Sequence, residues 1–257
     1  MKEILEKYSS FKISAKEAMS LLNLQCLEDL LFFTCKEGLP LPHLDRKSAT
    51  SMANQFLYAV NLQNNPRIRS CELIIMDAGP LIKLASIDQL EMLLAFDLHI
   101  YIPDEVYFEA AEKFAWACEA EPRPAAVLLQ KWVIKQEVIG RVSRPNTLIG
   151  ESAKKKRDNA EYSPSKKNHR HHTGELAAHD FFNHREIEGN EDRPALILID
   201  DGPAVVQTLL NSINVHVLST YALLIAFEQE KRISSAKITW SEIEKNIYYF
   251  NMLFPKY

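Results

Sequence analysis

The N-terminal part of the chain repeats apolar residues at the three- and four-residue spacing of a helix. Ser14 and Glu17 have the separation of a capping box, which marks the start of one helix. A second helix is expected to end at Gly38, and a third to run from about Lys47 to Val60. Two short helices joined by a tight turn are the layout of a helix-turn-helix. The pattern therefore predicts a small all-α domain at residues 1–65.

From Glu72 onward the pattern changes to short apolar runs that alternate with helical segments. These runs have the composition and length of buried strands, with helix and strand mixed in the third: CELIIMD, HIYIP, WVIKQEVI, ALILID and NVHVLS. A last helix is expected from Ser241. Repeated strand–helix units imply a mostly parallel sheet that is covered by helices on both faces. We therefore predict an α/β domain at residues 70–257.

The stretch 143–173 is polar, basic and without apolar periodicity, which predicts a long loop inside the α/β domain. Its cations suit contact with RNA phosphates, and a solvated loop without a ligand is the alternative. Three histidines just before Glu175 (His169, His171 and His172) leave a metal site and plain polar sequence both open. The residues predicted to bind RNA are Lys154, Lys155, Lys156, Arg157, Lys166, Lys167 and Arg170.

Acidic side chains stand at or near the ends of the predicted strands. Asp77 ends the first strand, and Asp200 and Asp201 end the fourth. Glu109 lies in the helix after the second strand, and Glu175 opens the helix before the fourth. In open parallel sheets, functional groups collect beyond the carboxyl ends of the strands. We therefore expect acids from four separate segments to converge at one edge of the sheet.

A cluster of carboxylates is unfavourable by itself because like charges repel one another. A hard divalent cation removes this cost, and Mg²⁺ is usually held by one or two carboxylates with several waters. Such an ion can lower the pKa of a bound water and stabilise charge on a phosphate. Each acid alone is also explained as a turn residue, a helix cap or a solvated helix position. Their order along the chain favours a metal site.

Composition and charge narrow the functional classes. The hydrophobic fraction of 47% and charged fraction of 25% are those of a globular protein. The net charge of −4 restricts any nucleic-acid contact to a local patch. The four cysteines lack the spacing of a zinc finger, so we expect reduced thiols. The N-terminal segment lacks a hydrophobic signal core, and no apolar run reaches the roughly 18 residues of a membrane span. We therefore expect a cytoplasmic protein that does not contact a membrane.

Four segments of the α/β part resemble the motifs of the PIN-domain nucleases. IIMDAGPLIKLA looks like the first acidic motif of that family, IYIPDEVYFEA like the second, and GELAAHDFF like the third. LILIDDGPAVVQTLLNSINVHVLSTYALL is similar to the fourth, with its paired acids, following helix and next strand. The likeness covers roughly residues 72–232 in the order and spacing of the family. Each motif is weak alone, whereas four in sequence are fairly specific.

The resemblance implies a flavodoxin-like α/β/α sandwich, dependence on Mg²⁺ or Mn²⁺, and cleavage of RNA. It assigns catalytic and metal-binding roles to Asp77, Glu109, Glu175 and the Asp200–Asp201 pair, of which either aspartate is the closer match. Many bacterial members are toxins that a partner holds inactive, and relatives often form homodimers. The chain departs from the family at Gly79, where many members carry a serine or threonine, and in the length of the loop before the third motif.

The N-terminal segment resembles helix-turn-helix domains of small prokaryotic regulators and antitoxins. Its second helix carries Glu28, Asp29 and Glu37 against Lys36, whereas a helix in the major groove needs positive and amide side chains. Contact with DNA therefore stays open beside packing against the nuclease part or a second copy. Our hypothesis is an antitoxin-like module fused in cis, whose removal (residues 1–65) raises nuclease activity. A separate antitoxin is the other arrangement.

The sequence thus predicts a metal-dependent endoribonuclease, a toxin of a toxin–antitoxin or phage-defence system. The alternative is a catalytically idle PIN-like protein that regulates or assembles by binding nucleic acid or protein. A phosphatase-like or receiver-like domain is a third option, but the chain lacks a convincing nucleophilic aspartate with a fitted lysine and hydroxyl.

Overall fold

The computed structural model describes residues 1–24, 26–62, 71–112, 123–158, 173–187, 195–200 and 215–253. The helices before the sheet are α1 (Lys2–Ser9), α2 (Ala15–Leu22), α3 (Leu27–Lys36) and α4 (Arg46–Leu62). Those that alternate with strands are α5 (Ala78–Ser86), α6 (Asp104–Tyr107), α7 (Pro124–Ile139), α8 (Leu148–Asp158), α9 (Thr173–Ile187) and α10 (Thr220–Gln229), and α11 (Ala236–Leu253) follows them. The strands are β1 (Glu72–Ile75), β2 (His99–Tyr101), β3 (Val142–Ser143), β4 (Ala195–Leu198) and β5 (Val215–Leu218).

The five strands form one parallel sheet in the order β3-β2-β1-β4-β5. β1 and β4 are buried along their whole length, as apolar strands covered on both faces must be. Glu72 pairs with Ala195, and Ile75 with Leu198. The strand order reverses between β1 and β4, and at such a reversal the carboxyl ends of the strands open a crevice.

The N-terminal helices share one hydrophobic core with the sheet. Ser14 caps α2 by accepting from the Glu17 backbone N–H, as the capping-box spacing predicts. α4 packs against β5 and α10, and α3 packs against α11. Leu30 and Phe56, from α3 and α4, are fully buried in the same cluster as the residues of β1. Burial of this apolar surface fixes the helices to the sheet.

No single described helix is long and apolar enough to cross a bilayer. Taken together, α2 and α3 have the length and apolar composition of a membrane span, with a bend of 83° between the two helices.

The prediction of a third strand at WVIKQEVI is wrong. This segment lies in α7, which begins with Pro124 and ends at Gly140, where φ is +79°. Trp132, Val133 and Gln136 are buried at helical spacing. The isoleucines and valines of this segment have the composition of a strand. The proline at the start of α7 and the left-handed glycine after its end are nevertheless typical helix boundaries. The third strand of the sheet is the two-residue β3 that follows.

The prediction of a loop throughout 143–173 is also wrong, because α8 occupies Leu148–Asp158. Only Gly150 of this helix is buried, so the helix has no apolar periodicity from which it could be predicted. Its start is held instead by side chains: the Thr147 hydroxyl accepts from the Gly150 N–H, and Asp180 of α9 accepts from the Leu148 N–H at 2.7 Å. Residues 159–172 lie outside the described residues.

We expect Gly150→Ala to destabilise the protein, although alanine normally improves a helix. A Cβ at this position would overlap the Asp104 carboxylate, which is fixed by the Thr147 N–H and hydroxyl. Overpacking of this kind costs about 1–3 kcal/mol, against a propensity gain of about 1 kcal/mol. Urea denaturation measures the difference, with Ser152→Ala on the exposed face of α8 as the control. Stabilisation by Gly150→Ala would show that the Asp104 carboxylate can move away from the added Cβ at little cost.

Candidate metal centre

Asp77 stands between β1 and α5, at the N-cap position of the helix. Its backbone is extended (φ −144°, ψ 148°), and its side chain makes no capping hydrogen bond. The third helical residue is Pro80, which has no N–H for a capping carboxylate to accept. The half-buried carboxylate therefore does not cap the helix.

Asp200 follows β4 on the neighbouring strand and is held from two sides. Thr220, the first residue of α10, donates its N–H to Oδ1 at 2.7 Å and its hydroxyl to Oδ2 at 2.6 Å. The Lys83 ammonium lies 2.7 Å from Oδ2. Lys83 is 2% exposed and the Asp200 side chain 9%, so this is a buried ion pair.

The two aspartates meet at Gly79. A Cβ at this glycine would lie 2.8 Å from the Asp77 Oδ2 and 3.6 Å from the Asp200 Cβ. Both side chains therefore surround one point at the β1–β4 crevice. A serine or threonine here would force the Asp77 carboxylate to shift, so the departure at Gly79 provides room for that carboxylate.

Glu109 lies in a wide helical turn, Phe108–Glu112, that continues α6. Its Oε1 accepts from the Gly174 N–H at 3.1 Å and from the Thr173 hydroxyl at 3.3 Å, both at the start of α9. A Cβ at Gly174 would lie 2.5 Å from Oε2, so the close approach requires glycine. The positive end of α9 favours the carboxylate.

The structure thus places two of the predicted acids, Asp77 and Asp200, beside each other, and it places Glu109 against the start of α9. Glu175 is the third residue of α9, directly after Gly174, but its side chain lies outside the described residues. Asp201 also lies outside them. Within the described residues, no group of three or more histidine, cysteine or acidic side chains is placed to hold a metal ion.

Residues 73–153 match a family model, DUF3368, that is described as a PIN domain. The matched segment begins in β1 and ends in α8, so it includes both Asp77 and Glu109. Over this segment the chain is similar to PIN domains. The parallel five-stranded sheet of the described residues, its helices and the helical N-terminal region confirm the predicted PIN-like α/β/α fold. Comparison with curated proteins and with solved structures gives no significant match.

PIN domains are generally nucleases and typically bind a divalent metal. The described donors fit a hard cation, because the Asp77 carboxylate and the Asp200 side chain both lie beside Gly79 and Mg²⁺ is satisfied by one or two carboxylates plus waters. The Asp77 carboxylate and the Asp200 Oδ1 would hold this cation.

The basic residues predicted to bind RNA fall into three groups. Lys154, Lys155 and Lys156 are exposed on α8. Arg157 instead donates both guanidinium nitrogens to Glu105, at 2.8 and 2.6 Å, and stacks on Phe108. That arginine fixes α8 against the turn that carries Glu109. Lys166, Lys167, Arg170 and the three histidines lie outside the described residues.

Sequence reasoning missed two residues that hold Asp200. Lys83 occurs in an apolar helix pattern, IKLA, where a lysine reads as a solvated interruption, yet it is almost wholly buried. Thr220 follows β5 and reads only as the start of a helix. A lone charge among apolar neighbours was the available signal, since buried lysines require a paired anion.

Proposed function

We propose that this PIN domain is a divalent-metal-dependent endoribonuclease that hydrolyses RNA phosphodiester bonds. The convergence of Asp77 and Asp200 at the β1–β4 crevice, around Gly79, carries this proposal. Two oxygen-donor side chains at a sheet reversal are suited to Mg²⁺ or Mn²⁺. Glu109, Glu175 and Asp201 stay candidate ligands or catalytic acids on the sequence pattern.

The chain's own residues prepare the site for this reaction. A divalent ion bound there lowers the pKa of a coordinated water and stabilises charge on the scissile phosphate. Asp77 supplies a carboxylate that the start of α5 does not consume. Thr220 and Lys83 fix the rotamer of Asp200, so this side chain needs little reorganisation when an ion binds. Glu109 is fixed in turn by the start of α9.

The exposed lysines of α8 are the proposed path for the RNA backbone. α8 packs against both α6 and α9, the elements around Glu109. Lys154, Lys155 and Lys156 are therefore presented near that side of the domain, on a helix that the Arg157–Glu105 pair keeps in place. RNA contact by Lys166, Lys167 and Arg170 is proposed from their charge alone.

We expect a triple change of Lys154, Lys155 and Lys156 to glutamine to weaken RNA binding by about tenfold at low salt. The slope of log affinity against log salt concentration should become less steep, because fewer counterions are released. The change in slope should correspond to the loss of about two to three phosphate contacts. Fluorescence anisotropy with a labelled single-stranded RNA measures both effects. Lys131 and Lys135 on α7 provide the control, as exposed lysines on a different helix. Equal affinity and slope for the triple variant would remove α8 from the RNA path.

The direct test of the function is cleavage of RNA by the purified full chain. Labelled RNA should be cut internally with Mn²⁺ or Mg²⁺ and remain intact with EDTA. The same RNA with 2′-deoxyribose and a duplex DNA distinguish a ribonuclease from a general nuclease. Intact RNA at every metal concentration would contradict the proposal.

The proposed setting is a toxin of a toxin–antitoxin or phage-defence system in the cytoplasm. The N-terminal helices are then a cis-acting inhibitory module, or a separate antitoxin supplies inhibition. A homodimer and DNA contact by the N-terminal helices are further proposals on resemblance. Because α3 and α4 are buried against the rest of the chain, removal of residues 1–65 would expose core residues, and point variants test inhibition better.

A second candidate is a catalytically idle PIN domain that acts by binding. The buried Lys83–Asp200 pair favours it, since an internal cation already neutralises one acid of the site. The two functions differ in metal response. A nuclease should gain thermal stability with Mn²⁺, while an idle domain should show neither this gain nor cleavage.

A further inference from the structure

Lys83 is a buried cation beside Asp200. Its ammonium is 2% exposed, lies 2.7 Å from the Asp200 Oδ2, and sits 5.2 Å from the centre of the Trp240 ring on α11. A lysine in such surroundings is retained only when its charge is compensated. Asp200 supplies the anion, and the indole face adds a cation–π contact.

The hydrogen bonds to Asp200 limit what else this carboxylate can bind. An ionised carboxylate has two acceptor positions on each oxygen. Oδ2 receives Lys83 and the Thr220 hydroxyl, which fill both of its positions. Oδ1 receives the Thr220 N–H, which leaves at most one position. Asp200 can therefore give one bond to a metal ion, through Oδ1.

A two-metal site places its ions about 4 Å apart, with charge on both sides of the scissile phosphate. On the Oδ2 side of Asp200 that place is filled by the Lys83 ammonium. We propose that Lys83 replaces a second metal ion at Asp200, so that this site holds a single divalent cation between Asp77 and Asp200. This inference rests on the proposed function. Lys83 acts as a positioning residue, since it is buried away from substrate.

Mn²⁺ binding to the full chain tests the proposal without a cleavage assay. Equilibrium dialysis and electron paramagnetic resonance should count one Mn²⁺ per chain that is lost in Asp77→Asn. Two ions that are both lost in Asp77→Asn would overturn the single-ion inference while leaving the nuclease proposal intact. If Asp77→Asn removes no bound Mn²⁺, both the single-ion inference and the nuclease proposal are overturned.

The fixed charge itself is tested by Lys83→Met, a neutral side chain of similar length. Loss of a cation beside the ligand should tighten Mn²⁺ binding at least about tenfold, because the repulsion between the two cations disappears. Lys237→Met is the matched control: it removes an exposed lysine charge from α11, the helix that carries Trp240, and should change Mn²⁺ affinity less than about threefold. Equal affinities in the two variants would show that the charge of Lys83 is not felt at the metal. If Lys83→Met does not fold, the Mn²⁺ count of the unaltered chain decides.

Discussion

Asp77→Asn should lower the rate of metal-dependent RNA cleavage at least about 100-fold, since changes even around metal ligands cost 10- to 100-fold. The substitution keeps the size of the side chain but replaces one anionic oxygen with an amide, which does not bind a hard cation well. The carboxylate makes no capping bond to α5, so the helix should keep its start.

Two measurements separate this effect from unfolding. The melting temperature without metal should stay close to that of the unaltered chain, while the stabilisation by Mn²⁺ should disappear. Asp88→Asn, at an exposed position two residues beyond the end of the same helix, is the control and should retain full cleavage. Cleavage by Asp77→Asn at more than a tenth of the original rate would exclude Asp77 as a metal ligand.

Arg123→Met should lower the free energy of unfolding by about 3–5 kcal/mol, the usual result of removing one partner from a buried ion pair. Arg123 precedes α7 and contacts Glu28 at 3.4 Å and also Asp29, both on α3. All three side chains are nearly buried. Burial alone would lower the pKa of Arg123, but Glu28, Cys26 and Asp29 raise it above its ordinary value. The variant leaves two carboxylates buried without this cation.

The expected loss has a specific rescue. Glu28→Gln and Asp29→Asn in the same chain remove the stranded charges and should recover a large part of the stability. Lys135→Met on α7, which removes an exposed ion pair with Glu91, should change stability by less than about 1 kcal/mol. If the N-terminal helices inhibit in cis, Arg123→Met should also raise RNA cleavage at temperatures below its melting point. A loss of less than 1 kcal/mol would show that α3 is not anchored by this cluster.

The sequence was sufficient for the elements whose signals are local. Strand-like apolar runs located β1, β2, β4 and β5, and Ser14 with Glu17 located the start of α2. The last helix begins at Ala236 rather than Ser241. Ser235 accepts from the Ile238 N–H, a local capping signal that the prediction overlooked, and Glu228 of α10 accepts from the Ala236 N–H.

The site was predictable in part. Position at strand ends was enough to pair Asp77 with Asp200, because parallel strands bring their carboxyl ends to one edge. The partners of Asp200 were not predictable, since Lys83 is 117 residues away along the chain and its burial depends on α11. Contacts set by tertiary packing leave no trace in local periodicity.

The start of α8 has a dynamic consequence. Only one of its residues is buried, and its first amides depend on Asp180 and Thr147 for acceptors. Short helices are marginal in water without such support. We therefore expect the amides of α8 to exchange with deuterium through brief local opening, well before those of β1 and β4. The stretch that presents three lysines is thus an element that can melt and reform while the sheet beneath it stays folded.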